Sequence, residues 1–301
     1  MIERIAYRGW PNCYRLSNDR LELIATSDVG PRLVHFGFAG RRNELGGLDE
    51  QFGRMGGDEW QLYGGHRFWH APEDPQRNYL PDNSPIEVAT DGDTLTLTQP
   101  AHPTLGIRKT IAVILRADRL ELTHTLINTG AWPVELAPWA LTIMAAGGVG
   151  IAPVTLSQPP YSLLPDRAIV IWPYAGLDDP RVRWGHRFIT VRHDRSRSAK
   201  FKFGLTAPDG WLAYLRDGNL FVKTFDRHPD ARYPDLGSAI EIFTDDRILE
   251  LETLGPLVIL APGASASHSE RWFLFDGVKC DPNDDDSIAT NILPLVERAG
   301  A

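Results

Sequence analysis

Cysteine is scarce: the 301 residues hold only Cys13 and Cys280, near opposite ends and in no C-x-x-C or metal-ligand spacing. That argues against a disulfide framework or a cysteine-built zinc site, and both read as free thiols, a bridge joining the two ends being the lesser alternative. Positive charge is also in deficit, with 31 Lys and Arg against 39 Asp and Glu and a net charge of -8. A general nucleic-acid or anionic-membrane surface needs the opposite balance, so neither partner is expected. No run of about 18 apolar residues occurs, and Met1-Ile2-Glu3-Arg4 leads into no apolar signal core. A soluble, cytoplasmic protein is the expectation. A P-loop and a dinucleotide fingerprint are missing as well, so no cofactor is expected.

Long helical periodicity is likewise missing, and what replaces it is a period of two broken by turn residues, the pattern of an all-β chain. Residues 21–26 and 32–38 read as strands around Asp28-Val29-Gly30-Pro31, and 86–89 with 94–98 flank Asp91-Gly92, a strong hairpin turn. Further strands are expected at 107–115, 120–127, 188–192, 211–214, 220–225, 239–243, 248–253 and 267–275. One helix is expected over 287–298, its start favoured by Asp284-Asp285-Asp286 and its middle broken by Pro294. The 23 prolines and 27 glycines are spread evenly, which predicts a single domain over 1–301. The stretch 147–179, with Gln158-Pro159-Pro160 and Trp172-Pro173-Tyr174, reads as a long irregular crossing of the kind that carries function.

Two places hold chemistry. Gly64-Gly65-His66-Arg67-Phe68-Trp69-His70-Ala71-Pro72-Glu73-Asp74 reads as a ligand-binding loop, its glycines allowing close approach and its side chains able to donate, accept or stack. Downstream, residues 239–243 and 248–252 form a predicted hairpin with Glu241 opposite Glu250 and Glu252 beside Ala239, so that all three glutamates share one face. That face is either a solvated side or the floor of a cleft. In a cleft, crowded carboxylates rise in pKa and suit general-base work near neutral pH.

Leu251-Glu252-Thr253, followed by Pro262-Gly263 and the closing Glu270-Arg271-Trp272-Phe273-Leu274-Phe275, resembles the galactose mutarotase-like (aldose 1-epimerase-like) superfamily. Asp28-Val29-Gly30-Pro31-Arg32-Leu33 and Gly64-Gly65-His66 are similar to its early turn and its Gly-Gly-histidine loop, and the whole chain looks like a bacterial branch of it. The resemblance implies a large twisted antiparallel β-sandwich with few short helices, a small-molecule or oligomeric carbohydrate as partner, and Glu252 as general base. One departure stands out. The family's mid-chain histidine, which protonates the ring oxygen, has no counterpart in Ala137-Pro138-Trp139-Ala140-Leu141-Thr142.

Anomer exchange needs a base at the C1 hydroxyl and an acid at the ring oxygen. The expected assignment is Glu252 as base with His66 or His70 as acid; Arg67, Trp69, Glu73, Trp139, Lys223, Asp226, Glu241 and Glu250 are the expected substrate contacts. For the histidines the alternative is a structural hydrogen bond, for Arg67 an ion pair with Glu73 or Asp74, and for Lys223 and Asp226 an outward-pointing position. His124, on a leucine-rich strand face, reads as a buried, hydrogen-bonded histidine. A divalent ion held by His66, His70 and Glu241 or Glu250 is the lesser reading, and no metal is expected. A glycoside hydrolase or lyase using Glu252 with Glu73 or Asp74, and a sugar-binding protein without turnover, are the functional alternatives.

Overall fold

The structure is a computed structural model that describes residues 2–154, 163, 165, 167–207 and 209–300. Two large antiparallel sheets face each other. The first runs, edge to edge, through Ile2–Tyr7, Trp10–Ser17, Leu21–Thr26, Arg32–Phe38, His66–Ala71, Val134–Ile143, Leu249–Leu254, Ile240–Thr244, Phe201–Leu205 and Ile169–Ile171, with Val258–Leu260 paired to the Val134–Ile143 strand. The second runs through Val182–Trp184, Phe188–Arg192, Val149–Pro153, Trp211–Arg216, Asn219–Phe225, Ser265–Phe275, Arg119–Asn128, Ile107–Leu115, Thr94–Gln99 and Glu87–Asp91. Period-two sequence becomes two-faced strand, and the apolar faces of both sheets merge into one core. Across it, the Phe36 ring of the first sheet stands 6.2 Å from Phe221 and 5.6 Å from Trp272 of the second. An all-β sandwich is therefore what the chain forms.

The outer faces are treated differently. Two short helices, Asp285–Asn291 and Leu293–Arg298, lay Ile288, Ile292 and Val296 on the outer face of the second sheet, against Trp211, Val222 and Phe273. Asp284 caps the first by accepting from the Asp286 N–H at 3.1 Å, and Pro294 sits in the first turn of the second, where its missing N–H costs nothing. The expected single helix is thus two, divided at Ile292. Among the described residues no α-helix lies on the outer face of the first sheet, and its centre carries the cleft described below.

Three local expectations change. The stretch read as a loop from Gly64 is in fact the strand His66–Ala71, paired on one side with Arg32–Phe38 and on the other with Val134–Ile143. Its two glycines approach backbone rather than a ligand: a Cβ on Gly65, at φ +70°, would stand 1.9 Å from the Leu33 carbonyl oxygen, and one on Gly64 would meet Gly47 Cα at 2.4 Å. The 147–179 stretch contains the strands Val149–Pro153 and Ile169–Ile171, while Gln158-Pro159-Pro160 lies outside the described residues. In the glutamate hairpin the pairing is Glu241 with Glu252 and Phe243 with Glu250. Asp245 sets that register, its carboxylate accepting from the N–H groups of Arg247 at 2.8 Å and Ile248 at 3.0 Å, so the loop spans four residues between Thr244 and Leu249. Each glutamate's partner moves by two residues, and the three still share a face.

Candidate functional site

Five adjacent strands of the first sheet build the cleft floor. The cross-strand pairs Trp69 with Trp139, Arg67 with Leu141, Leu141 with Glu252, Glu241 with Glu252, and Phe243 with Lys202 place all these side chains on one face. Gly204, opposite Glu241, leaves the room: a Cβ there would come within 2.3 Å of the Ser238 hydroxyl and 3.4 Å of Glu241 Cγ. Trp60, Glu73, Tyr79, Trp172, Tyr174, Lys200 and Asp245 raise the walls of a cleft of about 320 Å³. That volume suits a small ligand.

The floor is a set of buried ion pairs. Lys202 Nζ lies 2.6 Å from Glu241 and 2.9 Å from Glu252, and 4.7 Å from the ring centres of both Trp139 and Trp172. Trp139 Nε1 donates to the same Glu252 oxygen at 2.9 Å. Arg67 pairs with Glu250 through both terminal nitrogens and stacks 4.6 Å from the Trp69 ring centre. Burial pushes Glu241 well above the ordinary carboxylate range, Lys202 opposing and Glu252 reinforcing the shift. Glu250 rises for the same first reason, against the pull of Arg67. Burial would lower Lys202, but the two carboxylates outweigh it and hold the ammonium above the usual lysine range.

Several polar atoms of this floor and wall have no hydrogen-bond partner among the described residues. They are the donors Trp60 Nε1 and Arg67 Nε and the acceptor Glu252 Oε1, with Glu241 Oε1 behind them. Buried polar groups are nearly always paired, so a cluster of exceptions marks a place built for a ligand's own donors and acceptors.

The sequence-derived residues divide sharply. Arg67, Trp69, Glu73, Trp139, Glu250 and Glu252 line the cleft, and Glu241 lies directly behind Lys202. His66 and His70 do not face it. They alternate with Arg67 and Trp69 and so point to the opposite side of the sheet, into the core, where they are 0% and 2% exposed. That geometry corrects the acid assignment, and no ion can be shared by these histidines and the glutamates across the sheet. Arg67 pairs with Glu250 rather than Glu73 or Asp74; Asp74 faces Arg77 at 3.6 Å and is not among the cleft-lining residues. Lys223 is buried between the sheets, 2.7 Å from Glu270, and Asp226 pairs with Arg271 at 3.1 Å on the surface.

His66 instead joins a buried chain of polar groups. Satisfying every partner fixes the protons: Lys223 Nζ donates to the Thr142 hydroxyl (2.9 Å), Thr142 to His66 Nδ1 (2.8 Å), His66 Nε2–H to His124 Nε2 (2.7 Å), and His124 Nδ1–H to the His268 carbonyl (3.0 Å). Burial keeps His66 and His124 below the ordinary imidazole range and so neutral. His66, His124 and Glu270 have ligand atoms within 4.8 Å of one another, but the Lys223 ammonium already supplies the positive charge beside Glu270. The group reads as a structural tie between the sheets.

Lys202, Trp60, Tyr79, Trp172 and Tyr174 were not singled out from sequence. Phe201-Lys202-Phe203-Gly204-Leu205 does carry a signal, a lone cation on one face of a period-two run, and Trp172-Pro173-Tyr174 falls in a stretch marked as functional.

With this geometry, comparison with solved structures is informative about fold. A candidate aldose 1-epimerase from Klebsiella pneumoniae superimposes with a TM-score of 0.60 at 13% identity, covering 100% of this chain and 88% of that one. A second, from Escherichia coli K12, gives 0.54 at 15% identity over 88% of this chain and 99% of its own. A galactose mutarotase-like protein from Lactobacillus casei gives 0.53 at 9% identity over 88% and 100%. The fold is the galactose mutarotase-like one. No family model and no curated protein matches the sequence. Within the mutarotase-like fold, this chain's cleft lies on the outer face of one sheet, with Glu252 on its floor. No helix among the described residues is long and apolar enough to cross a membrane.

Proposed function

We propose that the cleft binds a sugar and that the protein interconverts sugar anomers, with Glu252 as the base. One observation carries the reading: unpartnered donors and acceptors converge on a single cleft walled by tryptophan and tyrosine. A pyranose asks for that combination, since its hydroxyls both donate and accept while its C–H face packs on aromatic rings. Glu252 fits the basic role. One of its oxygens is held by Lys202 and Trp139, which fixes the carboxylate, and the other has no partner among the described residues. That free oxygen takes the proton of the C1 hydroxyl as the ring opens.

The fold likeness to candidate aldose 1-epimerases and mutarotase-like proteins supports the same reading. Its test is anomer exchange followed by polarimetry or NMR over a panel of aldoses. Catalytic amounts of protein are expected to speed equilibration of a freshly dissolved anomer, and Glu252→Gln to abolish the effect. Unchanged rates across the panel count against turnover. A second reading, sugar binding without turnover, is favoured by the lack of any histidine among the described residues lining the cleft. It corresponds to saturable binding of an aldose with no change in exchange rate.

A further inference from the structure

Given the isomerase reading, the ring oxygen must receive a proton when its bond to C1 breaks, and the expected histidines face away. The chemistry of the cleft wall narrows the choice. Arg67 and the indoles do not release protons in the working pH range. Lys202 is clamped between Glu241 and Glu252, and its ammonium is occupied in pairing with them. Glu250 accepts from Arg67 with both oxygens, and Asp245 is spent on the N–H groups of its own turn. Glu73 is engaged as the acceptor of the Tyr79 hydroxyl, and loss of the Tyr79 proton would set a phenolate against that carboxylate. Lys200 is exposed at the mouth, with no hydrogen bond or ion pair among the described residues to fix its position.

Tyr174 remains. Its ring stands edge-on to Phe243, 6.5 Å between centres at 80°, and Phe243 is the cross-strand partner of Glu250 in the floor. The side chain is 47% exposed, so it stands in the cleft wall where a ligand can meet it. It lines the same cleft as the proposed base, and burial holds its hydroxyl proton more tightly than in a free tyrosine, Lys202 opposing and the glutamates Glu252, Glu73 and Glu241 adding to the effect. We propose that Tyr174 donates the proton to the ring oxygen while Glu252 accepts the proton of the C1 hydroxyl.

The protons balance over a cycle. Glu252 takes the C1 hydroxyl proton, the C1 carbonyl forms, the bond from C1 to the ring oxygen breaks, and that oxygen takes the Tyr174 proton. The open-chain aldehyde turns about its C1 to C2 bond. The phenolate then recovers its proton from the chain hydroxyl, which attacks the other face of C1 as Glu252 returns its proton to the carbonyl oxygen. During the open-chain interval the Lys202 ammonium offsets the phenolate's charge.

The test compares wild type, Tyr174→Phe and Glu252→Gln by anomer-exchange NMR, with aldose affinity measured separately by calorimetry. A general acid contributes about 10²-fold or more. Tyr174→Phe is therefore expected to lose about 100-fold in exchange rate, and at least tenfold, with aldose affinity within threefold of wild type. A loss below tenfold, or a loss of binding equal to the loss of rate, overturns the assignment and leaves the sugar-isomerase reading standing. A wild type that binds aldoses without accelerating exchange overturns both.

Discussion

Lys202 is the keystone of the cleft floor, and replacing it with methionine tests that claim quantitatively. Its ammonium is buried between Glu241 and Glu252, whose strands pair directly, and removing it leaves two adjacent carboxylates without their cation. Breaking a buried pair in this way costs about 3 to 5 kcal/mol, and the lost contacts to the Trp139 and Trp172 rings add roughly 1 kcal/mol. In urea unfolding at pH 8 this is a midpoint shift on the order of 1 to 2 M. The penalty depends on pH with a definite sign. Burial already raises Glu241 in the fold and Lys202 opposes that rise, so without Lys202 the Glu241 carboxyl rises further above its unfolded value and the folded chain binds a proton over a range where the unfolded chain does not. The difference between variant and wild type therefore shrinks as pH falls from 8 toward 5. Adding Glu241→Gln to Lys202→Met removes one of the two like charges and is expected to recover about half the loss. A pH-independent loss below 1 kcal/mol would refute the reasoning.

Three other outcomes follow from the same geometry. His35 and His70 are held down to about 4 and His268 to about 3, chiefly by burial, whereas an unfolded histidine binds its proton near pH 6.5. The unfolded chain thus binds more protons between about pH 6.5 and 4, and these groups cost stability as pH falls, up to roughly 3 kcal/mol for His70; His70→Gln is expected to flatten the unfolding-against-pH curve, and an unchanged slope would sink the idea. Gly65→Ala, with its Cβ 1.9 Å from the Leu33 oxygen at φ +70°, is expected to cost about 3 kcal/mol or more by chemical denaturation, while Gly92→Ala, at φ +55° with open space around it, costs about 1 kcal/mol. Equal effects would contradict that account. Trp139→Phe keeps the aromatic wall but loses the 2.9 Å bond to Glu252, and is expected to cost 1 to 3 kcal/mol and to weaken aldose binding by calorimetry; unaltered affinity would detach Trp139 from the site.

The hairpin of the three glutamates was readable because strand parity survives an error in the turn. The four-residue loop sits one residue further along the chain than expected, but the change moved each partner by two residues and kept Glu241, Glu250 and Glu252 on one face. The His66–Ala71 strand was misread for a physical reason. Buried on both faces, it shows no alternation of polar and apolar residues, and its polar side chains suggested a loop. As a strand, its parity sends Arg67 and Trp69 to the cleft and His66 and His70 to the core, a division that a loop would not impose. Lys202, Trp172 and Tyr174 reach the cleft through sheet neighbours remote in sequence, and only the order of strands brings them there. The same holds for the buried chain from Lys223 to His124, which joins side chains of both sheets.

The central claim is that the unpartnered atoms of this cleft meet a sugar, and the most direct measurement is a crystal structure of the protein soaked with an aldose. The account predicts a pyranose packed among Trp60, Trp69 and Trp172, with a hydroxyl donating to Glu252 Oε1 and another accepting from Arg67 Nε. A sugar bound elsewhere, or an empty cleft at saturating aldose, would contradict it.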